Sequence, residues 1–220
     1  MGVTPENSLS TTFYLVRHGQ SQTNALSDAG VNQDFSLWHD SDLTSLGVEQ
    51  ATSLSVKLQD IHFDAVFSSD ARRAQRTGEI IAARHQLPVS TSDRIRESSA
   101  GNLYSIFFGR NSTVPDTFQQ LSHQEKVNFR LSRDMETFEE AALRFLAFIQ
   151  ELEAAYKGLS VLVVSHGALM KSLLMKIGFA TFDELPKGSI ENTAYAVLET
   201  DASDFFLKAT SGIHKMEIKR

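Results

Sequence analysis

Two stretches decide how this chain folds: Phe13-Tyr14-Leu15-Val16-Arg17-His18-Gly19 and its later echo, Val161-Leu162-Val163-Val164-Ser165-His166-Gly167. In each, a short apolar run rich in β-branched or aromatic residues ends on a His-Gly step. Such a run reads as a strand buried on both faces, the kind that fills a parallel sheet. A stretch able to form helix follows each one. In open α/β sheets, ligands sit outside the carboxyl ends of the strands. Both histidines are therefore expected at one sheet edge, and Arg17 beside His18 points to an anionic ligand there.

Working outward, strand-like and helix-like segments alternate, which predicts an α/β layered fold. After a strand over 12–17, a helical start over 20–27 is broken by Gly30 and a polar loop through Asp42. Thr44 caps a helix whose apolar face comprises Val48, Ala51, Leu54, Leu58 and Ile61. A strand over Asp64–Phe67, a helix from about Asp70 to His85 and a shorter strand over Pro88–Thr91 come next. Thr137 and Glu140 form a capping-box pattern, opening a helix that buries Phe138, Ala142, Phe145, Ile149 and Leu152. The Ser160–Ser165 strand leads into a mostly apolar helix, Ala168–Ile177, ended by Gly178. The tail alternates enough for strands near 194–199, 204–209 and 213–219.

Residues 97–134 break this rhythm. Gly101, Gly109 and Pro115 are scattered among Tyr104, Phe107, Phe108 and Phe118, and an aperiodic stretch of that length inside a domain reads as a cap. The expected architecture is a single domain over 11–220. It is a three-layer sandwich: a mostly parallel central sheet, helices on both faces and a small cap. A disordered lead-in over 1–10 precedes it.

Composition narrows the function classes. None of the 220 residues is cysteine, which excludes disulfides and thiolate chemistry, and a net charge of −6 argues against a broad basic nucleic-acid face. No run approaches the roughly 20 apolar residues that span a bilayer. Met1–Ser10 lacks the basic start and apolar centre of a signal peptide, so the expected compartment is the cytoplasm.

Four segments carry candidate chemistry. In Arg17-His18-Gly19 through Asn24, a strand ends, a glycine permits close approach, and polar donors line the start of a helix, as anion sites require; a surface turn is the alternative. Arg72, Arg73 and Arg76 open a helix on the same edge, where one guanidinium can grip a phosphate with paired hydrogen bonds; the others read as a solvated face. Glu97, beyond the third strand, reads alone as an exposed charge. His166, alone, reads as a hydrogen-bonded core histidine.

Taken together these segments resemble the histidine phosphatase superfamily, the phosphoglycerate-mutase-like fold. The matching residues are Arg17-His18-Gly19 with Ser21 and Asn24, Ser68-Ser69 with Arg73, Ala74 and Thr77, Glu97 with Gly101, and Ser165-His166-Gly167. Weaker matches are Asp40, Leu43-Thr44, Gly47 and Gln50-Ala51; Glu136-Thr137 with Arg144; and Asn192-Thr193-Ala194. The resemblance spans about residues 12–200. It implies that His18 attacks phosphorus to form a phosphohistidine, that Arg17, Arg73 and His166 stabilise the phosphoryl oxygens, and that Glu97 is the general acid/base. Neighbouring cations would keep His18 neutral, and Glu97 would need a raised pKa. Gly19, Ser21, Asn24 and the Gly167 N–H would complete the phosphate pocket. Neither metal nor cofactor is implied: His39, His62, His85, His123 and His214 form no ligand cluster. The expected partner is a small-molecule phosphate ester, with no nucleic acid and no membrane; no feature specifies an oligomeric state.

Phosphatase members often carry an Arg-x-Gln-Gly stretch where this chain reads Asp34-Phe35-Ser36-Leu37, and Asn102-Leu103-Tyr104 replaces a usual glycine step. Phe35, Trp38 and Asp40 faintly suggest a cofactor-dependent phosphoglycerate mutase. Against that, the interval from Glu97 to His166 is shorter than mutases have, and their later arginine pair is absent. The preferred reading is a metal-independent phosphomonoester hydrolase. The alternatives are the mutase or a non-catalytic phospho-ligand-binding module. The cap is expected to select substrate, with Tyr104, Phe107, Phe108 and Phe118 either flooring a pocket or packing in the core. Arg110, Lys126, Arg130 and Arg133 would either receive a second anion or face solvent.

Overall fold

Alternate residues of the strand over Ser160–Ser165 face opposite ways, because side chains alternate across a sheet. Val161 and Val163 join one hydrophobic cluster, and Leu162 and Val164 join the other. That division explains why the run is apolar throughout. The computed structural model describes residues 10–29, 40–98, 116–130, 133, 135–201 and 204–218. The lead-in over 1–9, the stretch 30–39 with Phe35 and Trp38, and Gly101, Asn102, Leu103, Tyr104, Phe107, Phe108, Gly109, Arg110 and Pro115 lie outside the described residues.

The strands are β1 (Thr11–Arg17), β2 (Ala65–Ser69), β3 (Val89–Ser92), β4 (Ser160–Ser165), β5 (Ile190–Asp201) and β6 (Asp204–Ile213), and they form one sheet in the order β3-β2-β4-β1-β5-β6. β3, β2, β4 and β1 are parallel neighbours; β5 and β6 add antiparallel strands beside β1. The chain is thus a mixed α/β sheet with helices, as the alternating pattern predicts.

Of the helices, α1 covers Gln22–Asp28, α2 Ser45–Lys57 and α3 Arg72–His85. Two short helices, α4 (Asp116–Gln119) and α5 (His123–Val127), occupy the described part of the expected cap, and α6 (Phe138–Ala155) and α7 (Gly167–Lys176) follow. Leu54 and Leu58 at α2 with Ala74 and Ile81 of α3 cover the Val16, Val66 and Val164 face; Phe145 and Ile149 of α6 with Leu169 and Leu173 of α7 cover Phe13, Leu15 and Val163. Among the described residues no helix is long and apolar enough to cross a membrane.

The caps fall where the sequence puts them. The Thr44 side chain accepts from the Gly47 N–H, and Thr137 and Glu140 cap α6 reciprocally. Three expectations need correction. Val48 is exposed, not part of the apolar face of α2. Ile61 lies past the end of that helix, which finishes at Lys57 with Leu58 as its cap. The tail makes two strands, not three: β5 begins earlier, and 214–218 is not strand. The alternation there misleads because Met216 and Ile218 face solvent, while the backbone bonds to loop carbonyls of Glu184 and Ser189.

Candidate active site

Register alone brings the two histidines together. β1 and β4 run parallel with Arg17 opposite Ser165, and the His18 N–H donates to Ser165 O at 3.0 Å. His18 and His166 therefore leave neighbouring strands side by side, at the spacing of about 4.8 Å that strands impose. Their rings stand 5.1 Å apart, edge to face, and both are buried.

β2, the other neighbour of β4, delivers α3. Its second residue, Arg73, lays its guanidinium across both rings: Nε donates to His18 Nε2 at 3.0 Å and Nη2 to His166 Nδ1 at 3.1 Å. A guanidinium only donates, so these bonds assign both tautomers. His18 keeps its proton on Nδ1, which donates to Gly19 O at 2.7 Å, and presents an Nε2 lone pair. His166 accepts at Nδ1 and carries its proton on Nε2, a buried atom with no hydrogen-bond partner among the described residues.

Burial, then the charges of Arg73 and Arg17, hold the His18 pKa well below its ordinary value. His166 is depressed in the same way, by burial first and Arg73 second. The sequence attributes the neutral imidazole to neighbouring cations; in the structure desolvation is the larger cause. Burial also brings Arg73 down to about 10, against the pull of Glu97, which leaves it a cation at neutral pH. Arg72 and Arg76 pair with Asp42 and Glu79 at the surface, so one arginine of the three reaches the site.

Glu97 arrives from the edge strand β3 through a single 3₁₀ turn, Asp93–Ile95. Its carboxylate closes the amino end of α7: Oε1 accepts from Ser98 N at 2.8 Å and Leu169 N at 3.0 Å, and Oε2 from Ala168 N at 3.2 Å. α7 starts without a side-chain cap of its own, since His166 occupies that position. Burial raises the Glu97 pKa, opposed by these N–H bonds and by Arg73. The approach to Glu97 is held in turn: Ser165 Oγ donates to Ile95 O at 3.0 Å, and Arg144, paired with Glu136, donates to Arg94 O at 2.6 Å.

The His18 loop is fixed by close approach. A Cβ on Gly19 would lie 2.5 Å from Gly47 O, and one on Gly47 2.0 Å from Gln20 O, so these two backbones can meet only as glycines. Gly19 N donates to Thr77 Oγ1 at 3.1 Å, and Gln20 N to Gln50 Oε1 at 2.8 Å. Asn192, at the start of β5, donates through Nδ2 to His18 O at 3.1 Å and to Asn24 Oδ1 at 3.3 Å. Thr193 adopts a left-handed φ of 59°, uncommon for a β-branched residue. Its N–H also reaches His18 O, at 3.3 Å.

These loops enclose a cavity of about 470 Å³. Of the expected site residues, Arg17, His18, Asn24, Arg73, Glu97 and Gly167 line it. A Cβ at Gly167 would press on Arg17 Nε at 3.2 Å, and Arg17 Nη1 donates to Ile190 O at 2.5 Å. His166 and Gly19 sit behind the wall. So does Ser21, whose hydroxyl caps α1 by accepting from Asn24 N at 3.2 Å while Asn24 Oδ1 accepts from Ser21 N at 3.1 Å. Its placement is that of a scaffold residue, not of a phosphate ligand. Lys171 and Asn192 also line the cavity, and sequence reasoning did not place either in the site. Lys126, Arg130 and Arg133 do not line it. Lys126 pairs with Asp183, and Arg130 with Glu140 and Met135 O. Phe118 packs in the core against Phe182.

The comparisons with known proteins bear on the family and the fold. The family model of the histidine phosphatase superfamily (branch 1) matches residues 13–211. A 2,3-bisphosphoglycerate-dependent phosphoglycerate mutase of Methylocella silvestris is 32% identical over 184 residues, covering 78% of this chain and 84% of that protein. The uncharacterized phosphatase PhoE of Bacillus subtilis is 29% identical over 168 residues, covering 76% of this chain and 77% of that protein. Among solved structures, phosphoglycerate mutase from Bacillus anthracis superposes with a TM-score of 0.73 at 25% identity, over 94% of this chain and 95% of that one. Relatives of both names, mutase and phosphatase, match about three quarters or more of the chain, and this protein belongs to the histidine phosphatase superfamily (branch 1).

Proposed function

We propose that the protein is a metal-independent phosphomonoester hydrolase that works through a phosphohistidine on His18 and acts on a small-molecule phosphate ester. The observation that carries this reading is the opposed pair of imidazoles around Arg73: His18 Nε2 accepts from Arg73 Nε, and His166 accepts at Nδ1, which leaves its Nε2–H as a donor. Phosphoryl transfer asks a protein mainly for positioning and charge stabilisation. An entering phosphate draws the Arg73 guanidinium onto its oxygens and releases the His18 lone pair. Arg17, Arg73, the His166 Nε2–H and the Gly167 N–H then balance the equatorial charge. The Gly167 N–H is at the first position of α7, where no intrahelical acceptor exists.

His18 Nε2 forms a bond to phosphorus as the ester P–O bond breaks, and the leaving oxygen takes a proton from Glu97. Water then attacks the phosphohistidine, its proton passes to Glu97, and the P–N bond breaks to release inorganic phosphate. Glu97 thus serves as acid and then base, a task suited to a carboxyl whose pKa is raised.

Hydrolysis is favoured over mutase chemistry by where the cap-side cations go. A mutase must retain a bisphosphate while it reorients, which calls for extra cations over the pocket. Among the described cap residues Lys126 and Arg130 are instead held in ion pairs and do not line the cavity, and the lysines that do line it, Lys171 and Lys187, lie outside the cap. The 32% identical relative named as a mutase keeps that alternative in the test. Phosphate release from 4-nitrophenyl phosphate in EDTA is measured for wild type and His18→Ala, alongside conversion of 3-phosphoglycerate with added 2,3-bisphosphoglycerate. Release by wild type that His18→Ala abolishes is the expected result. Release that survives the substitution removes the phosphohistidine. Isomerisation without release makes the protein a mutase.

A further inference from the structure

Glu97 changes protonation in each half of the proposed reaction, so its own carboxylate bonds are a poor anchor. They run to the Ser98, Ala168 and Leu169 N–H groups. A neutral carboxyl accepts such bonds more weakly than a carboxylate, which loosens this hold in the state that serves as acid. A constant hold has to come from the backbone that carries the residue. That backbone is short: the 3₁₀ turn ends at Ile95, and Arg96 is already extended, with φ −61° and ψ 157°.

The three carbonyls along this approach are taken by side chains of other elements. Arg144, on α6, donates through Nη1 to Arg94 O at 2.6 Å, and through both Nη1 and Nη2 to Arg96 O at 3.3 Å. Between them, Ile95 O accepts from Ser165 Oγ at 3.0 Å. Glu136 fixes the other edge of the guanidinium, accepting from Nε at 3.1 Å and from Nη2 at 2.6 Å. Arg144 thus makes five hydrogen bonds, as many as a guanidinium has N–H groups. It grips the backbone that carries Glu97 and does not line the cavity.

We propose that Arg144 is a positioning residue for acid catalysis. By locking the backbone at Arg94 and Arg96 it keeps the Glu97 carboxyl aimed at the leaving oxygen, and so extends hydrolysis to esters whose alcohol needs a proton to depart. The inference rests on the acid role assigned to Glu97 above. The clamp works by shape: a planar fork spans two carbonyls and a carboxylate at once, which an ammonium on a flexible stem does not reproduce. Its effect passes through one group, so it vanishes where Glu97 is replaced or where the leaving oxygen needs no proton.

The test compares kcat/KM for phenyl phosphate, whose phenolate needs a proton to leave, with that for 2,4-dinitrophenyl phosphate, whose phenolate leaves without one. This parameter stops at P–O cleavage, so later hydrolysis of the phosphohistidine does not enter. Arg144→Met should lower the phenyl phosphate value about 100-fold, the scale of a misplaced catalytic group. The dinitrophenyl value should fall no more than about 3-fold, since it draws nothing from the general acid. Arg144→Lys, which keeps the charge, should show the same selectivity at smaller size, and it carries the comparison if Arg144→Met does not fold. In a Glu97→Gln background either substitution should cost nothing further, because the acid through which Arg144 acts is gone. Equal losses on both esters, an undiminished loss in the Glu97→Gln background, or a wild-type ratio of the two esters in Arg144→Lys overturns the proposal. Where Glu97→Gln is selective for phenyl phosphate and the Arg144 variants are not, the clamp alone falls. If Glu97→Gln lowers both esters alike, the acid role falls and the clamp with it. If wild type cleaves neither ester, the hydrolase reading falls and takes both.

Discussion

The two His-Gly steps share a motif, a sheet edge and a buried imidazole, yet they are chemical opposites. Arg73 donates to Nε2 of one imidazole and to Nδ1 of the other. His18 has its Nδ1–H tied to Gly19 O, which leaves Nε2 as a base; His166 has Nδ1 occupied, which leaves Nε2 as a donor. The motif sets where each ring stands. Which nitrogen the shared guanidinium meets sets what each ring can do. The backbones are held differently too. Met170 N returns to His166 O within its own helix, whereas His18 O depends on β5 through Asn192 and Thr193.

Exchanging the rings' prospects by mutation gives the largest expected effects. His18→Ala should lower 4-nitrophenyl phosphate turnover by about 10⁵-fold, the scale for deleting a nucleophile, and no acid-labile phosphoenzyme should appear in intact-protein mass spectra. His166→Ala removes one donor to developing charge, so about a 10²- to 10³-fold loss is expected, with the phosphoenzyme still detectable. Equal losses for both variants, or an adduct that persists in His18→Ala, would break the comparison.

Glu97 sharpens it through pH. Burial raises its pKa, so the protonated acid that the first step needs persists to higher pH than for an ordinary glutamate and is lost as pH rises through that value. His18 is held well below the ordinary imidazole range, so its lone pair survives as pH falls through that range. Activity should therefore be greatest on the acid side of neutrality and decline toward alkaline pH. Glu97→Gln should cost about 10²- to 10⁴-fold at the optimum and flatten the alkaline limb. A limb that survives the substitution assigns that ionisation to another group.

Much of this was legible in the sequence, and what was missed has physical causes. Continuous apolar runs identify strands buried on both faces, and parallel neighbours deliver their following residues to one edge. That logic brings Arg17, His18, His166 and the arginines that open α3 to one edge without coordinates, whereas the resemblance to the histidine phosphatase superfamily is what singles out Arg73 and adds Glu97. It cannot say which nitrogen of each ring is protonated, because that depends on a third residue. Nor can it separate Ser21 as cap from Ser21 as ligand, since a hydroxyl at a helix start serves either use. Lys171 was hidden because one lysine in an apolar helix reads as a snorkelling surface residue. The site position of Asn192 was hidden because its partners lie more than 160 residues away in the chain. The 213–219 stretch misled because alternation reports a pleat only when one face is covered, and here neither Met216 nor Ile218 is buried.

Asn192 offers the smallest and most discriminating test of the backbone difference. Its side chain bridges His18 O and Asn24 Oδ1, but Thr193 N still reaches His18 O when that bridge is removed. Asn192→Ala therefore leaves no orphaned carbonyl and should cost about 1 kcal/mol, a fall in Tm of about 2–4 °C for a chain of this size. Turnover should drop about 10-fold, since the His18 ring stays fixed by Gly19 O while its loop loosens. His166 has no such dependence, because its carbonyl bond is internal to α7. A loss in Asn192→Ala as large as that of Glu97→Gln would mean that β5, not the strand register, aims the nucleophile. The two His-Gly steps would then differ in how they are positioned as much as in how they are protonated.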